Sequence, residues 1–260
     1  MVEGRCGLLG MRALVLSDIH GNLEALEAVL AAAPPHDAVW NLGDVVGYGA
    51  SPNECVALME RLADSSIRGN HDKVACGITL PTHFNPTARQ AVEWTASTLT
   101  PEASQWLRDL PQGPISPAGS DSMISHGSPV HEDIYVINIR DAWEPLQRAQ
   151  HRVTLFGHTH VQGGFHVLEQ QWLEVKPAHR RESRCIWTMK LKDDGTRYMI
   201  NPGSVGQPRD GDWRAAFALL DEEAGEVSFY REPYDLARAQ GRILMAGLPE
   251  RLALRLREGR

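Results

Sequence analysis

The chain has 260 residues, 42% of them hydrophobic and 23% charged, with a formal net charge of −7. Those values suit one large α/β domain or two small ones with a sizeable buried core. The negative charge argues against coating of extended nucleic acid, and no apolar run reaches the roughly 18 residues that span a bilayer.

Residues 1–10 carry Glu3 and only a short apolar patch. They make a poor signal sequence and read as a disordered extension ahead of a single domain over 11–260. Residues 12–17 read as a buried strand, and 22–33 as a helix with Leu23, Leu26, Val29 and Leu30 on one face. A second strand covers 38–42. Ser51 then reads as an N-cap, Pro52 as the first helical position and Glu54 as the residue closing a capping box. A third strand near 65–68 leads to a short helix that stops at Gly77. Asn85-Pro86 and Thr100-Pro101 open two more helices. Such alternation predicts a mainly parallel, right-handed sheet covered by helices.

The second half reads differently. Strands at 122–125, 152–156, 164–168, 171–175, 185–191, 197–200, 214–220 and 226–230 have few helices between them after residue 150. They predict a second, more antiparallel sheet. Residues 176–184 (KPAHRRESR) read as an exposed loop, and 234–258 return to helix. Cys6, Cys55, Cys76 and Cys185 form no C-x-x-C pair, which speaks for reduced thiols and a cytoplasmic protein.

Open α/β sheets bind ligands at the carboxyl ends of their strands. Here the first strand ends in Asp18 and His20 (SDIHGN), the second in Asp44 (NLGD) and the third in Asn70 and His71 (RGNHD). The strand SMIS ends at His126, and VTLF at His158 and His160 (GHTH). Singly, a D-x-H is more often a turn and a lone histidine more often a core residue. Five strand ends in series are another matter. Carboxylates, imidazoles and an amide without thiolate suit manganese, iron or zinc. Seven ligands exceed the needs of one ion, so two ions are expected, and a central aspartate can bridge them at roughly 3.5–4 Å.

The series SDIHG, GD, GNHD, SHG and GHTH, followed by NPGSVGQP at 201–208, resembles the calcineurin-like metallophosphoesterases, small bacterial phosphodiesterase and dinucleoside polyphosphate hydrolase members included. The resemblance implies a four-layer α/β/β/α sandwich of two packed mixed sheets, with a dimetal site at the sheet edge. It implies Asp18, His20 and His160 on one ion, Asn70, His126 and His158 on the other, and Asp44 between them. His71 would bind no metal and face the substrate phosphate. There is one departure. Where phosphoprotein phosphatases carry G-D-x-V-D-R-G, residues 43–49 read GDVVGYG. Gly47 replaces the carboxylate that would orient the catalytic histidine, and Tyr48 the arginine that would grip phosphate.

The expected function is therefore metal-dependent hydrolysis of a phosphodiester or nucleotide-type ester by hydroxide generated at two divalent ions (manganese, iron, zinc or a mixture). Dinucleoside polyphosphate hydrolysis is the alternative, and phosphoprotein dephosphorylation is a poorer fit. A non-catalytic scaffold would lack ligands, and none is missing. The expected partner is a small phosphate ester or nucleotide, not a membrane, and the oligomeric state stays open. Arg209 is a candidate contact for substrate phosphate, a surface ion pair being equally plausible. Arg180 and Arg181, in the cationic loop, are candidates for a flap holding a second phosphate, a solvated hairpin being the plainer reading.

Overall fold

Alternation along the first strand, β1 (Arg12–Leu16), sets the layering. Ala13 and Val15 point one way, into a core shared with Trp40, Ile124, Leu155 and Phe229. Leu14 and Leu16 point the other way, among Leu26, Val29 and Met59. A period of two thus gives one strand two apolar faces, one against another sheet and one against helices. The structure, a computed structural model, describes residues 10–180 and 183–260. Most of the proposed extension, residues 1–9, and Arg181 of the proposed flap lie outside the described residues.

After β1 come α1 (Leu23–Ala32), β2 (Ala38–Asn41), α2 (Pro52–Leu62), β3 (Ser65–Ser66), α3 (Asn70–Ala75), α4 (Pro86–Thr98) and α5 (Pro101–Asp109). The second half runs β4 (Ser122–Ser125), α6 (Ile139–Arg148), β5 (Val153–Phe156), β6 (Gly163–Leu168), β7 (Gln171–Val175), β8 (Cys185–Lys190) and β9 (Arg197–Asn201). It closes with β10 (Ala215–Asp221), β11 (Glu226–Glu232), α7 (Leu236–Met245) and α8 (Glu250–Glu258). None of the described helices is long and apolar enough to cross a membrane.

Two mixed sheets result, ordered β3-β2-β1-β10-β11-β8 and β4-β5-β9-β6-β7. They do not divide the chain into halves, as the strand pattern suggested. β10 pairs antiparallel with β1, and β8 and β11 extend that first sheet. The parallel part of the second sheet is β4-β5-β9. The residues lining the interface, such as Val15, Leu155, Ile200 and Phe229, are fully buried. Helices α1, α2, α7 and α8 contribute to the core on the outer face of the first sheet.

Helix α6 was not expected, and it builds the fourth layer. Its Ala142 and Leu146 pack on Phe156, Phe165, Val167 and Met199, the outer face of the second sheet. Pro145 inside the helix masks it in the sequence, although Asn138 and Asp141 form a capping box at its start. Two smaller corrections concern helix ends. Ser51 occupies the N-cap of α2 but makes no capping bond with its side chain, and its hydroxyl instead meets Arg242 at 3.4 Å. The stretch 234–258 is two helices, broken at the turn before Pro249.

Candidate metal centre

Strands β1, β2 and β3 of one sheet and β4 and β5 of the other end at a common edge, where their following loops meet. Five of the seven ligand candidates sit there in left-handed backbone: Asp18 (φ 53°), His20 (49°), Asp44 (55°), His158 (67°) and His160 (59°). This region is costly for L residues and tolerated best by Asp, Asn and His. Such strain persists where the surroundings over-determine it.

The surroundings do so with backbone hydrogen bonds between the loops. The Asp18 amide donates to the Gly43 carbonyl at 3.0 Å, His20 to Asp44 at 2.9 Å and Gly157 to His126 at 2.7 Å. Asp72, buried in the first turn of α3, accepts from the amides of Asp44 (2.7 Å), Gly69 (2.9 Å) and Val46 (3.1 Å). Gly69 is required by close approach, since a Cβ there would lie 2.1 Å from Asp44 Oδ1. The NPGSVGQP loop braces the other side. Ser204 donates to the Asp18 carbonyl at 2.7 Å, and the Asn201 amide donates to Gly157 O and Thr159 Oγ1. Asn22 has both roles open to it: it caps α1 and donates to Gly206 O.

The side chains then converge. Asp18, His20 and His160 form one group of ligand atoms within 4.8 Å of one another, and Asp44, His126 and His158 another. His20, His126 and His160 each use Nδ1 on a backbone carbonyl, of Val46 (3.1 Å), Leu42 (2.9 Å) and Gln207 (2.6 Å) respectively. That leaves each Nε2 lone pair pointing inward, the usual orientation of metal-binding histidines. His20 Nε2 and His160 Nε2 consequently face each other at 3.0 Å, and His126 Nε2 faces Asn70 Oδ1 at 3.1 Å. The two lone pairs of His20 and His160 repel unless a cation or a proton lies between them, whereas a protonated His126 can donate to Asn70. Among the described residues, Asp18 Oδ1 and His158 Nε2 are buried without a hydrogen-bond partner, although His160 Nε2 lies 3.2 Å from Asp18 Oδ1. The donor set fits metal ions.

Protonation agrees with this at His20, His158 and His160, and differs at His126. Burial, then the neighbouring charge of His126, pushes His158 down to about 3. Burial also lowers His20 and His160, leaving neutral imidazoles able to ligate. Burial opposes charge at Asp44 too, but His126 and His71 outweigh it and hold the carboxyl well below its usual range. At His126 the carboxylates of Asp44 and Asp18 overcome burial and push the imidazole up to about 10. Without metal, Asp44 and His126 therefore form an ion pair, with 3.4 Å between Oδ2 and Nε2.

His71 is in neither of these groups but forms a third with His20 and Asp44, their ligand atoms again within 4.8 Å of one another. Its amide donates to Asp44 Oδ1 at 2.8 Å, and burial takes its imidazole down to about 4. A cavity of about 530 Å³ opens from Asn70, His71 and His158. Arg209 lies over the Tyr48 ring at 5.7 Å, with Nη2 3.4 Å from the tyrosine hydroxyl and its buried Nε unpartnered. Arg180 is exposed and is not among the residues lining the cavity. The sequence reading missed three groups here. Asp72 stood in a quoted motif without a role, while Phe84, against His71 at 4.6 Å, and Tyr135, stacked on His158 at 3.8 Å, lie in loops with no motif around them.

Comparison with known proteins fits this centre. The family model for the calcineurin-like phosphoesterase superfamily domain matches residues 11–225. Over 254 residues the chain is 34% identical to an uncharacterized protein of Methanocaldococcus jannaschii, covering 95% of this chain and 97% of that one. A metallophosphoesterase from Sphaerobacter thermophilus superposes with a TM-score of 0.81 at 39% identity, over 96% of this chain and 99% of that one. A hypothetical protein from Pyrococcus horikoshii shares the fold, with a TM-score of 0.73 at 20% identity over 96% and 98%. Matched by the family over most of its length and by relatives almost end to end, the chain belongs to the calcineurin-like phosphoesterase superfamily.

Proposed function

We propose that the protein hydrolyses phosphodiester or nucleotide-type phosphate esters with two divalent ions, of manganese, iron, zinc or a mixture. Asp18, His20 and His160 would hold one ion, and Asn70, His126 and His158 the other. The observation that carries this reading is the position of Asp44. Its Oδ2 is 3.7 Å from His20 Nε2 and 3.4 Å from His126 Nε2, so one carboxylate reaches both ligand groups. That position supports a bridging role.

The ions, when bound, acidify water from a pKa of 15.7 towards about 7 and neutralise phosphoryl oxygens. The chain supplies orientation. Because the His71 amide is bonded to Asp44 Oδ1, the residue is registered to the carboxylate that would lie between the ions. A neutral imidazole offers one N–H, which would donate to the leaving oxygen as the P–O bond lengthens. Arg209, with Nε unpartnered, would take a phosphoryl oxygen in place of the arginine that Tyr48 replaces. Arg180 and Arg181 would serve only a second, remote phosphate, as in a dinucleoside polyphosphate. The exposed position of Arg180 makes that alternative the weaker one.

Asp44→Asn tests the proposal. The variant should fold, bind fewer than two ions per chain by elemental analysis, and lose most turnover of bis(p-nitrophenyl) phosphate. Wild-type turnover with two ions would overturn the bridge. A wild-type protein inert with every divalent metal would favour the scaffold reading.

A further inference from the structure

The cavity beside His71 has aromatic walls. Tyr48 and Phe84 pack on His71 with ring centroids 4.4 and 4.6 Å away. On the other side Tyr135 lies nearly parallel to the His158 ring, 3.8 Å away with 22° between the planes, and is 44% exposed. These rings border the space into which the leaving group must pass if His71 assists its departure.

Charge decides what that leaving group is. Among the described residues lining the cavity, Lys73 is the one lysine or arginine. Its ammonium is already committed, 2.7 Å from Glu132 Oε1 and 2.6 Å from both oxygens of Asp133. Two carboxylates on one ammonium leave no free lysine or arginine charge on that wall, and the exposed imidazole of His83 is the one further basic side chain there, among the described residues, outside the metal centre. A second phosphate would be desolvated there without a counter-ion, which is strongly unfavourable. A flat uncharged ring would instead gain by stacking on aromatic side chains. The Arg209 guanidinium sits across Tyr48, its Nη2 on the Tyr48 hydroxyl and Gln207 Oε1 and its Nε without a partner among the described residues, where it suits the one phosphoryl group at the metals.

We propose that the cavity is a leaving-group subsite for a nucleoside carried on a single phosphate, and that it rejects substrates with further phosphates beyond the scissile one. This rests on the phosphoesterase reading above. In the step implied, water oxygen bonds to phosphorus as the P–O bond to the nucleoside breaks. The nucleoside oxygen leaves with a proton that derives from the water, and His71 hydrogen-bonds that oxygen as it departs.

Two measurements test it. In the first, adenosine, which carries no phosphate, is titrated into the protein without added metal and followed by protein-observed NMR. Shifts should concentrate around Phe84 and Tyr135, and Phe84→Ala should weaken binding about tenfold. Phe84→Leu keeps the apolar bulk and so guards against simple collapse of the wall; it should fall between the two. In the second, the manganese-loaded enzyme is given the methyl diester of adenosine 5′-phosphate, the methyl diester of glycerol phosphate, and diadenosine tetraphosphate. The nucleoside diester should lead the glycerol diester at least about tenfold in kcat/KM, with the tetraphosphate behind the nucleoside diester. In Phe84→Ala the first ratio should fall towards one. Equal rates for the two diesters, a preference for the tetraphosphate, or adenosine shifts outside the cavity would overturn the subsite while leaving the phosphoesterase reading intact. Failure to hydrolyse any ester would overturn that reading and the subsite with it.

Discussion

His71 holds its place without the carboxylate that its motif would normally supply. The position of that carboxylate belongs to Gly47, whose backbone lies flat against the imidazole: a Cβ there would come within 2.4 Å of His71 Nδ1. Rings pack the histidine instead, with Tyr48, Phe84 and His20 centroids at 4.4, 4.6 and 4.9 Å. Removing the imidazole should leave the metal ligands untouched, so His71→Ala should keep its ions. Turnover should fall in the roughly 10²–10⁴-fold range of general acid–base assistance. The fall should be smaller for nitrophenolate than for alkoxide leaving groups, because a good leaving group needs little help. Equal losses for both would remove His71 from the leaving-group side. Gly47→Ala is the complementary change, made at φ 96° where a side chain is already strained. It should cost at least about 1 kcal/mol of stability and depress turnover by pushing the imidazole aside, seen as a lower Tm together with a lower kcat. Most of the candidate ligands were readable in the sequence because they follow apolar strands, Asn70 being the exception after the two serines of β3. The substitution at Gly47 was readable only as a loss, since a sequence does not show that a missing side chain makes room for a ring.

Among the elements, α3 and α6 do more than their lengths suggest. The first turn of α3 places Asp72 so that one buried carboxylate receives three amides from two loops. Asp72→Asn would set an NH₂ group against at least one of those N–H donors. An unsatisfied buried donor costs about 1–3 kcal/mol, so a chemical-unfolding midpoint should fall accordingly, with metal content falling because the Asp44 loop loses its tether. An unchanged midpoint would mean that water replaces the lost acceptor. Helix α6 is a packing element. Leu146 is fully buried against the outer face of the second sheet, and Leu146→Ala should cost about 2–5 kcal/mol with little change in kcat. The strands themselves were legible in order and extent, because apolar runs between turn residues mark them. Their sheet membership was not. The continuous apolar run of β10 and the alternation of β8 name no sheet, and only the antiparallel register with β1 and β11 assigns them. Pro145 concealed α6 by the same kind of ambiguity, a local signal against helix overruled by the apolar face that the second sheet required.

At the scale of the whole molecule, the cationic loop 176–184 is the strap between the two sheets. It leaves β7, the edge of one sheet, and enters β8, the edge of the other. Its described part is pinned rather than free. His179 Nε2 lies 2.7 Å from Gln162 Oε1, Arg214 donates to the Ser183 carbonyl, and Arg184 meets Glu232 at 3.3 Å and the Ala32 carbonyl at 2.6 Å. Gln162 in turn donates to the carbonyls of Pro202, Phe217 and Tyr230, so the strap is fastened where both sheets and the NPGS loop meet. His179 makes that fastening sensitive to acid. Burial, then the charges of Arg231 and Arg214, push its imidazole down to about 4 from 6.5, against the weaker pull of Asp212 and Asp210. A released loop takes up a proton near pH 6.5, whereas the docked one resists until about pH 4. Docking is therefore fully favourable above pH 6.5, weakens as pH falls between those values, and loses nothing further below pH 4. The half-exposed position of the ring screens part of this effect. Amide protection factors across 176–180 should accordingly decline from pH 7 to pH 4.5 while those of β1 stay level. In His179→Gln, which can still hydrogen-bond Gln162 but cannot titrate, the decline should flatten. A wild-type loop whose protection ignores pH, or a variant that follows the same slope, would show that the strap is held by Arg184 and Arg214 alone.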